Sequence, residues 1–261
     1  MRVDLYLSQK GFCESRSKAS RFIDEGLVVI DGRAVLKSSE EIDDGVEHNV
    51  KIKKNNDLVG RGFLKLDAAI KQFCVDVSGK RCIDVGASTG GFTQCLLMHG
   101  AQSVVSVDSG RGQLHKSLLD DSRVKSVEGY NARNLSVSEF GMFECAVMDV
   151  SFISQTLIIP ALAELICEGG VFIGLVKPQF EAGRQAIGKN GIVKKPSDRE
   201  YSLIRVAECA REVGLNLSDV MRSPITGGDG NIEYLACFVK TNGGCEISDS
   251  LKMRISRLCR E

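Results

Sequence analysis

Three charged side chains and one run of small residues are the parts of this 261-residue chain that could do chemistry. The run is GASTGG, Gly86–Gly91, set between apolar CIDV and FTQCLL. Glycines there permit positive φ and let a ligand approach the backbone closely. Asp149 in MDVSFIS, Lys177 in GLVKPQFEAGR and Glu233 in GGDGNIEYLACF each sit at the end of an apolar, strand-like segment. Any one of them alone is an ordinary strand-end charge. The lysine is the most unusual, because VFIGLV precedes it and PQF follows. Partial desolvation there favours a neutral amine, which can accept a proton.

Three ligands could want the small-residue loop. A triphosphate site needs G-K-[ST], and no lysine follows Gly91. A dinucleotide site reads G-x-G-x-x-G, whereas the spacing here is G-x-x-x-G-G. S-adenosylmethionine carries no phosphate and presents an amino-acid end and a ribose, which suits a loop of this length after a first strand. The second strand-like run, SVVSVDSG, ends in Asp108, whose carboxylate can accept both ribose hydroxyls. A methyl-donor site over Gly86, Ala87, Ser88, Thr89, Gly90, Gly91 and Asp108 is therefore the expectation. Asp84 has two open readings: contact with the ligand, or a brace beneath the glycine loop.

Strands and helices must position these groups. From residue 80 the chain alternates RCIDVGA, FTQCLLMHG, SVVSVDSG, RGQLHKSLLDD, RVKSVEGYNAR, FECAVMDVSF, TLIIPALAELICEGG, VFIGLVKPQF, SDREYSLIRVAECAREVGL and EYLACFVK. Strand-like and helix-like periods take turns, which predicts a mostly parallel sheet covered by helices on both faces. Such sheets bind ligands outside the carboxyl ends of their strands. Upstream, FLKLDAAIKQF has helical spacing, with Phe63, Leu66, Ile70 and Phe73 on one face and Lys65 and Lys71 off it. KKNND is a polar linker candidate. The tail, Ser248–Arg260, reads as an amphipathic terminal helix.

Residues 1–58 differ from the rest. Ser15–Glu25 suits a helix capped by Ser15 and stopped at Gly26, and LVVI-DGR-AV suits a hairpin. Residues 2–23 hold five basic side chains, Arg2, Lys10, Arg16, Lys18 and Arg21, against two acidic ones, Asp4 and Glu14. The chain as a whole balances 34 basic with 34 acidic residues, so only such local clusters can signal nucleic acid. No signal peptide, membrane-spanning run or C-x-x-C pair is visible in the sequence. The ten cysteines read as free buried thiols of a cytoplasmic protein. No metal site is expected, since His48, His99 and His115 lack ligand spacing near a cysteine.

Ser15, Arg16, Ala19, Ile23, Gly26, Val28, Ile30 and Gly32 follow SR-x-x-A-x-x-x-I-x-x-G and V-x-V-x-G. Residues 2–52 thus resemble the S4 RNA-binding fold, whose basic helix face docks structured RNA. The remainder resembles the FtsJ-like ribose 2′-O-methyltransferases, and the whole resembles the TlyA family, which joins the two. The shared motifs are ASTGGFT at Ala87–Thr93, Gln113-Leu114, Asn131–Arg133, DVSFIS at Asp149–Ser154, Lys177–Gly183 and Ser223–Glu233. Two departures are RGFLKL for R-G-G-x-K-L and DSGRGQL for D-V-G-Y-G-Q-L, which puts Arg111 in place of an aromatic.

The resemblance implies a Rossmann-like α/β methyltransferase domain over 59–261, with 59–64 as linker, behind a small α+β S4-like domain over 1–58. It implies a tetrad of Lys65, Asp149, Lys177 and Glu233, and a cofactor site that also includes Asp84, Phe92, Asn131 and Asp149. RNA contacts would fall to Lys10, Arg16, Lys18, Arg21 and Arg61. The implied partner is ribosomal RNA, met within a ribosomal subunit; no protein partner and no membrane are implied. In that chemistry a neutral Lys177 takes the proton of a ribose 2′-hydroxyl. Asp149 holds Lys177 in line with the donor, Glu233 and Lys65 orient lysine and oxygen, and no metal is required. A base methyltransferase would want an N/D-P-P-Y/F motif, and none occurs. The family also carries a haemolysin label. A membrane-lytic protein is therefore the alternative, with RNA binding without methyl transfer as the third reading.

Overall fold

A computed structural model describes residues 1–24, 27–35, 37–52, 58–227 and 230–261. Gly26 and the linker candidate at 53–57 lie outside the described residues, as does the side chain of Arg21. The chain divides into two compact units, Met1–Arg61 and Gly62–Glu261.

The first unit holds helices α1 (Val3–Gln9) and α2 (Arg16–Asp24) and strands β1 (Val28–Ile30), β2 (Arg33–Ala34) and β3 (Val50–Ile52). Ser15 caps α2: its Oγ accepts from the Lys18 amide at 3.1 Å. Asp31 and Gly32 both take positive φ, the turn that matches the twist of the antiparallel β1–β2 hairpin. Val3, Tyr6, Leu7, Ala19, Ile23 and Val28 close a core of their own.

The second unit opens with α3 (Gly62–Phe73), which starts inside the 59–64 span expected as linker. It continues with β4 (Arg81–Val85), α4 (Gly91–Met98), β5 (Ser103–Asp108), α5 (Lys116–Leu119), β6 (Val124–Glu128), α6 (Val137–Phe140) and β7 (Phe143–Met148). Then follow α7 (Ile159–Glu164), β8 (Ile166–Val176), α8 (Pro178–Glu181), α9 (Pro196–Glu212), β9 (Leu215–Arg222), β10 (Tyr234–Lys240) and α10 (Asp249–Arg260).

The seven strands β4–β10 lie in the order β6-β5-β4-β7-β8-β10-β9. The β6-β5-β4-β7-β8 stretch is parallel, while β10 runs antiparallel to β8 and β9. The chain builds outward from β4 to β6, then returns beside β4 with β7, so the order reverses between β4 and β7. Ligands of open α/β sheets bind at such a reversal. The inner parallel strands are largely buried because helices cover them; β7 buries five of its six residues, whereas β6 at the edge buries none fully.

Four segments differ from the periodic reading. The strand expected over VFIGLVKPQF stops at Val176, because proline starts the turn α8. ICEGG belongs to β8, where Ile166 pairs with Phe143, and α7 stops at Glu164. The helix expected over RGQLHKSLLDD shrinks to Lys116–Leu119. LNLSDVMR, unassigned from sequence, is edge strand β9, where polar residues alternate on a half-exposed face. The tail packs as α10, with Ile255 and Cys259 buried and Arg254 paired to Asp219 at 2.9 Å.

Candidate active site

Gly86 leaves the carboxyl end of β4 with φ +85°. A Cβ at this position would stand 2.4 Å from the Asp149 carbonyl oxygen, so only glycine lets the β7 loop come so near. Gly91 likewise takes the backbone of α3: a Cβ there would meet Phe63 N at 2.9 Å. The small residues thus bring three segments together over the ends of the central strands.

A cavity of about 650 Å³ opens there, walled by Gly86, Ser88, Asp108, Tyr130, Asn131 and Asp149 among others. That is the size range of small-molecule sites. Asp108 accepts the Ser88 amide at 2.8 Å on one oxygen and the Gly110 amide at 2.7 Å on the other. Each oxygen keeps a further lone pair, so a carboxylate already aimed by two amides can still accept a diol. Asn131 Oδ1 caps the turn Ala132–Asn134 through the Arg133 amide at 3.2 Å, which holds the side chain at the wall. These groups fit the ribose and adenosine parts of S-adenosylmethionine.

A smaller cleft of about 200 Å³ shares Gly86, Ser88, Asp149 and Ser151 with the first and adds Ala87, Thr89, Gly91, Phe92 and Lys177. Lys177 Nζ lies 2.6 Å from Asp149 Oδ1 and donates to Ser151 Oγ at 2.7 Å. The amine is thus held by a carboxylate and a hydroxyl of the same loop. Lys65, expected off the apolar face of its helix, is instead buried and donates to Glu233 Oε2 at 2.6 Å. The antiparallel register opposes Tyr234 to Val176, so Glu233 and Lys177 follow as neighbours at the strand ends. The two ion pairs therefore issue from adjacent strands.

Two expected cofactor residues stand elsewhere. Asp84 is fully buried and reaches neither cavity; Thr93 Oγ1 donates to its Oδ2 at 2.7 Å, which makes it a brace of the loop. Burial above all, with the Asp149 and Asp108 charges in support, raises its carboxyl to about 7. Gly90 faces Leu118 and Leu114, not a cavity.

Ser151, Phe152 and Glu181 also belong to the site; each lies in a motif quoted above, but none is a charge at the end of an apolar strand, the one signal by which sequence marks reactive groups here. Phe152 has φ +65°, unusual for an aromatic, and its ring is 93 % exposed at the cavity mouth, 5.4 Å from the Phe180 ring.

The histidine spacing needs correction. Cys95 on α4 and His99, which caps that helix, stand four residues apart and meet Asp67, their donor atoms all within 4.8 Å. Hydrogen bonds account for this cluster without an ion: Asp67 pairs with His99 at 2.9 Å and Lys71 at 2.7 Å. Burial pushes the Cys95 thiol well up, so it stays protonated.

In the first unit, burial would raise the Asp4 carboxyl, yet hydrogen bonds from Arg2 and Arg16 hold it below the ordinary value. Arg16 is thereby fixed at 2.9 Å from Asp4 with its side chain half exposed. Lys10 Nζ sits 5.8 Å over the Tyr6 ring, and Lys18 pairs with Glu14 at 2.8 Å. Arg61 is exposed.

Comparison with known proteins gives the same two parts. The FtsJ-like methyltransferase family matches residues 58–240, and the S4 domain family matches 1–48. A Bacillus subtilis protein named for rRNA methyltransferase activity, YqxC, is 44% identical over 90% of this chain and 84% of its own. The 16S/23S rRNA (cytidine-2′-O)-methyltransferase TlyA of Mycobacterium tuberculosis is 41% identical over 89% of this chain and 87% of its own. A solved structure from Streptococcus thermophilus, named for hemolysin, superposes with TM-score 0.76 at 42% identity, covering 100% of this chain and 96% of that one. Among the described residues no helix is long and apolar enough to cross a membrane.

Proposed function

The chain belongs to the FtsJ-like methyltransferase family, and from that premise we propose that it transfers a methyl group to a ribose 2′-hydroxyl of ribosomal RNA. S-adenosylmethionine supplies the electrophilic methyl. The observation that carries the reading is the Lys177 amine, held between Asp149 and Ser151 in a cleft that shares a wall with the donor cavity.

A ribose hydroxyl is a poor nucleophile and must lose its proton as it attacks. In this reading Lys177 Nζ takes that proton. Asp149 and Ser151 aim the amine, and the Lys65–Glu233 pair borders it from the next strand and orients the sugar oxygen. Asp108 and Asn131 hold the donor by its ribose and adenosine ends. Phe152 offers a bare ring on which a nucleobase can stack.

Residues 1–58 would dock the RNA, with Lys10, Arg16, Lys18 and Arg21 toward phosphates, joined by Arg61 of the linker, and residues 59–261 would carry the transferase. The RNA would be met in a ribosomal subunit, in the cytoplasm. The test is to incubate ribosomal subunits with radiolabelled donor and map the label by resistance of the 2′-modified linkage to alkali. Label at a ribose is expected, lost in Lys177→Ala while donor binding by calorimetry persists. Full transfer by that variant would remove Lys177 as the base, and label on a nucleobase would overturn the reaction class.

A further inference from the structure

Lys177 is followed at once by the four-residue turn α8, and that turn does more than end the strand. Glu181, its last residue, is buried, and both its oxygens point back to the loop after β7. Gln155 N donates to Oε1 at 2.8 Å and Ser154 Oγ donates to Oε2 at 2.5 Å. Arg205 steadies the turn from α9, donating to the Glu181 carbonyl at 2.6 Å. Phe180, one residue earlier, packs its ring 5.4 Å from that of Phe152.

The loop so gripped, Asp149–Gln155, carries both partners of the Lys177 amine. It leaves β7 on one side, where the Asp149 amide donates to the Val85 carbonyl at 3.0 Å. On the other side it enters the turn Gln155–Leu157 with its first amide on Glu181. Between the two ends Phe152 holds a left-handed φ of 65°, a conformation that persists only where the surroundings over-determine it. Lys177 restrains the loop from the reacting side through Asp149 and Ser151. A carboxylate accepting a backbone amide and a hydroxyl restrains it from behind, and in a buried place such charge-assisted bonds are strong.

We propose that Glu181 is a positioning residue for the methyl-transfer site: it ties the loop bearing Asp149 and Ser151 to the same turn that begins with Lys177. The role rests on the function proposed above. Because one short turn carries both the amine and the clamp, the distances from Lys177 to Asp149 and Ser151 are set within a single rigid piece. Glutamine at this position keeps one acceptor, for the Gln155 amide, and turns the other into a donor, so the Ser154 hydroxyl loses its charged acceptor.

The test compares Glu181→Gln, Ser151→Ala and the double variant at saturating donor and RNA, well below the melting temperature. For Glu181→Gln, kcat should fall about tenfold to a hundredfold, the scale of a misplacement near 1 Å. In the Ser151→Ala background the same change should cost much less, since both act through one contact. Ser154→Ala, which removes a single hydroxyl, should lower kcat by a smaller factor and covers the case in which Glu181→Gln does not fold. Hydrogen exchange over 149–157 reads the clamp without turnover, so it separates failure of the clamp from failure of the function. Exchange there should quicken in Glu181→Gln. Unchanged exchange, unchanged kcat, or losses that simply multiply in the double variant would overturn the proposal.

Discussion

The Lys65–Glu233 pair makes a prediction that separates stability from chemistry. Its atoms stand 2.6 Å apart, with side chains 10% and 3% exposed, so both charges have left water. Removing one partner strands the other. The cost of such a stranding is about 3–5 kcal/mol, whereas replacing both by apolar groups of similar volume is often neutral or stabilising by about 1–4 kcal/mol. Lys65→Met and Glu233→Leu should therefore each lower stability by about 3–5 kcal/mol. At a urea slope of about 3 kcal/mol/M the midpoint falls by about 1–2 M. The double variant should return to the wild-type midpoint or exceed it, so the cycle yields a coupling of several kcal/mol. Urea unfolding of the full chain followed by far-ultraviolet circular dichroism gives these numbers. Under the proposed function methyl transfer should be lost in all three variants, including the stable double one. A double variant as unstable as the sum of the two singles would refute the reasoning, as would one that remains active.

Two further outcomes follow from the donor cavity and the brace beneath it. Asp108→Ala removes the acceptor for a ribose diol and frees the Ser88 and Gly110 amides, so donor affinity by calorimetry should weaken about tenfold to a hundredfold, the worth of a hydrogen bond to a charged group; unchanged affinity would exclude Asp108 from the site. Asp84, raised by burial from 3.8 to about 7, binds its proton more tightly in the folded chain than in the unfolded one. Its contribution to stability is full below 3.8 and is lost as pH rises through about 7. Asp84→Asn should therefore flatten the decline of the melting temperature over that window, and an identical slope in the two proteins would show that the carboxyl does not titrate there.

The sequence by itself determined the alternation of strands and helices from residue 80, because apolar runs of period two and near four leave little choice when both faces are covered. It determined the glycine loop, the strand-end Asp108 and the S4-like front, whose signals are local: turn residues, caps and basic clusters. It also marked Asp149, Lys177 and Glu233 as charges out of place beside apolar segments. Only the tertiary structure decided their partners. Lys65 and Glu233 are 168 residues apart in the chain, and nothing short of the antiparallel insertion of β10 beside β8 places one against the other. Asp84 became a brace rather than a ligand contact because the sheet buries it, and Cys95 met Asp67 because α3 lies on α4. The same holds for Glu181, which in sequence follows a run read as strand and in the structure ends the turn α8. A motif records which side chains are present and how far apart along the chain; desolvation, direction and partner are properties of packing, and packing joins residues that the chain keeps distant.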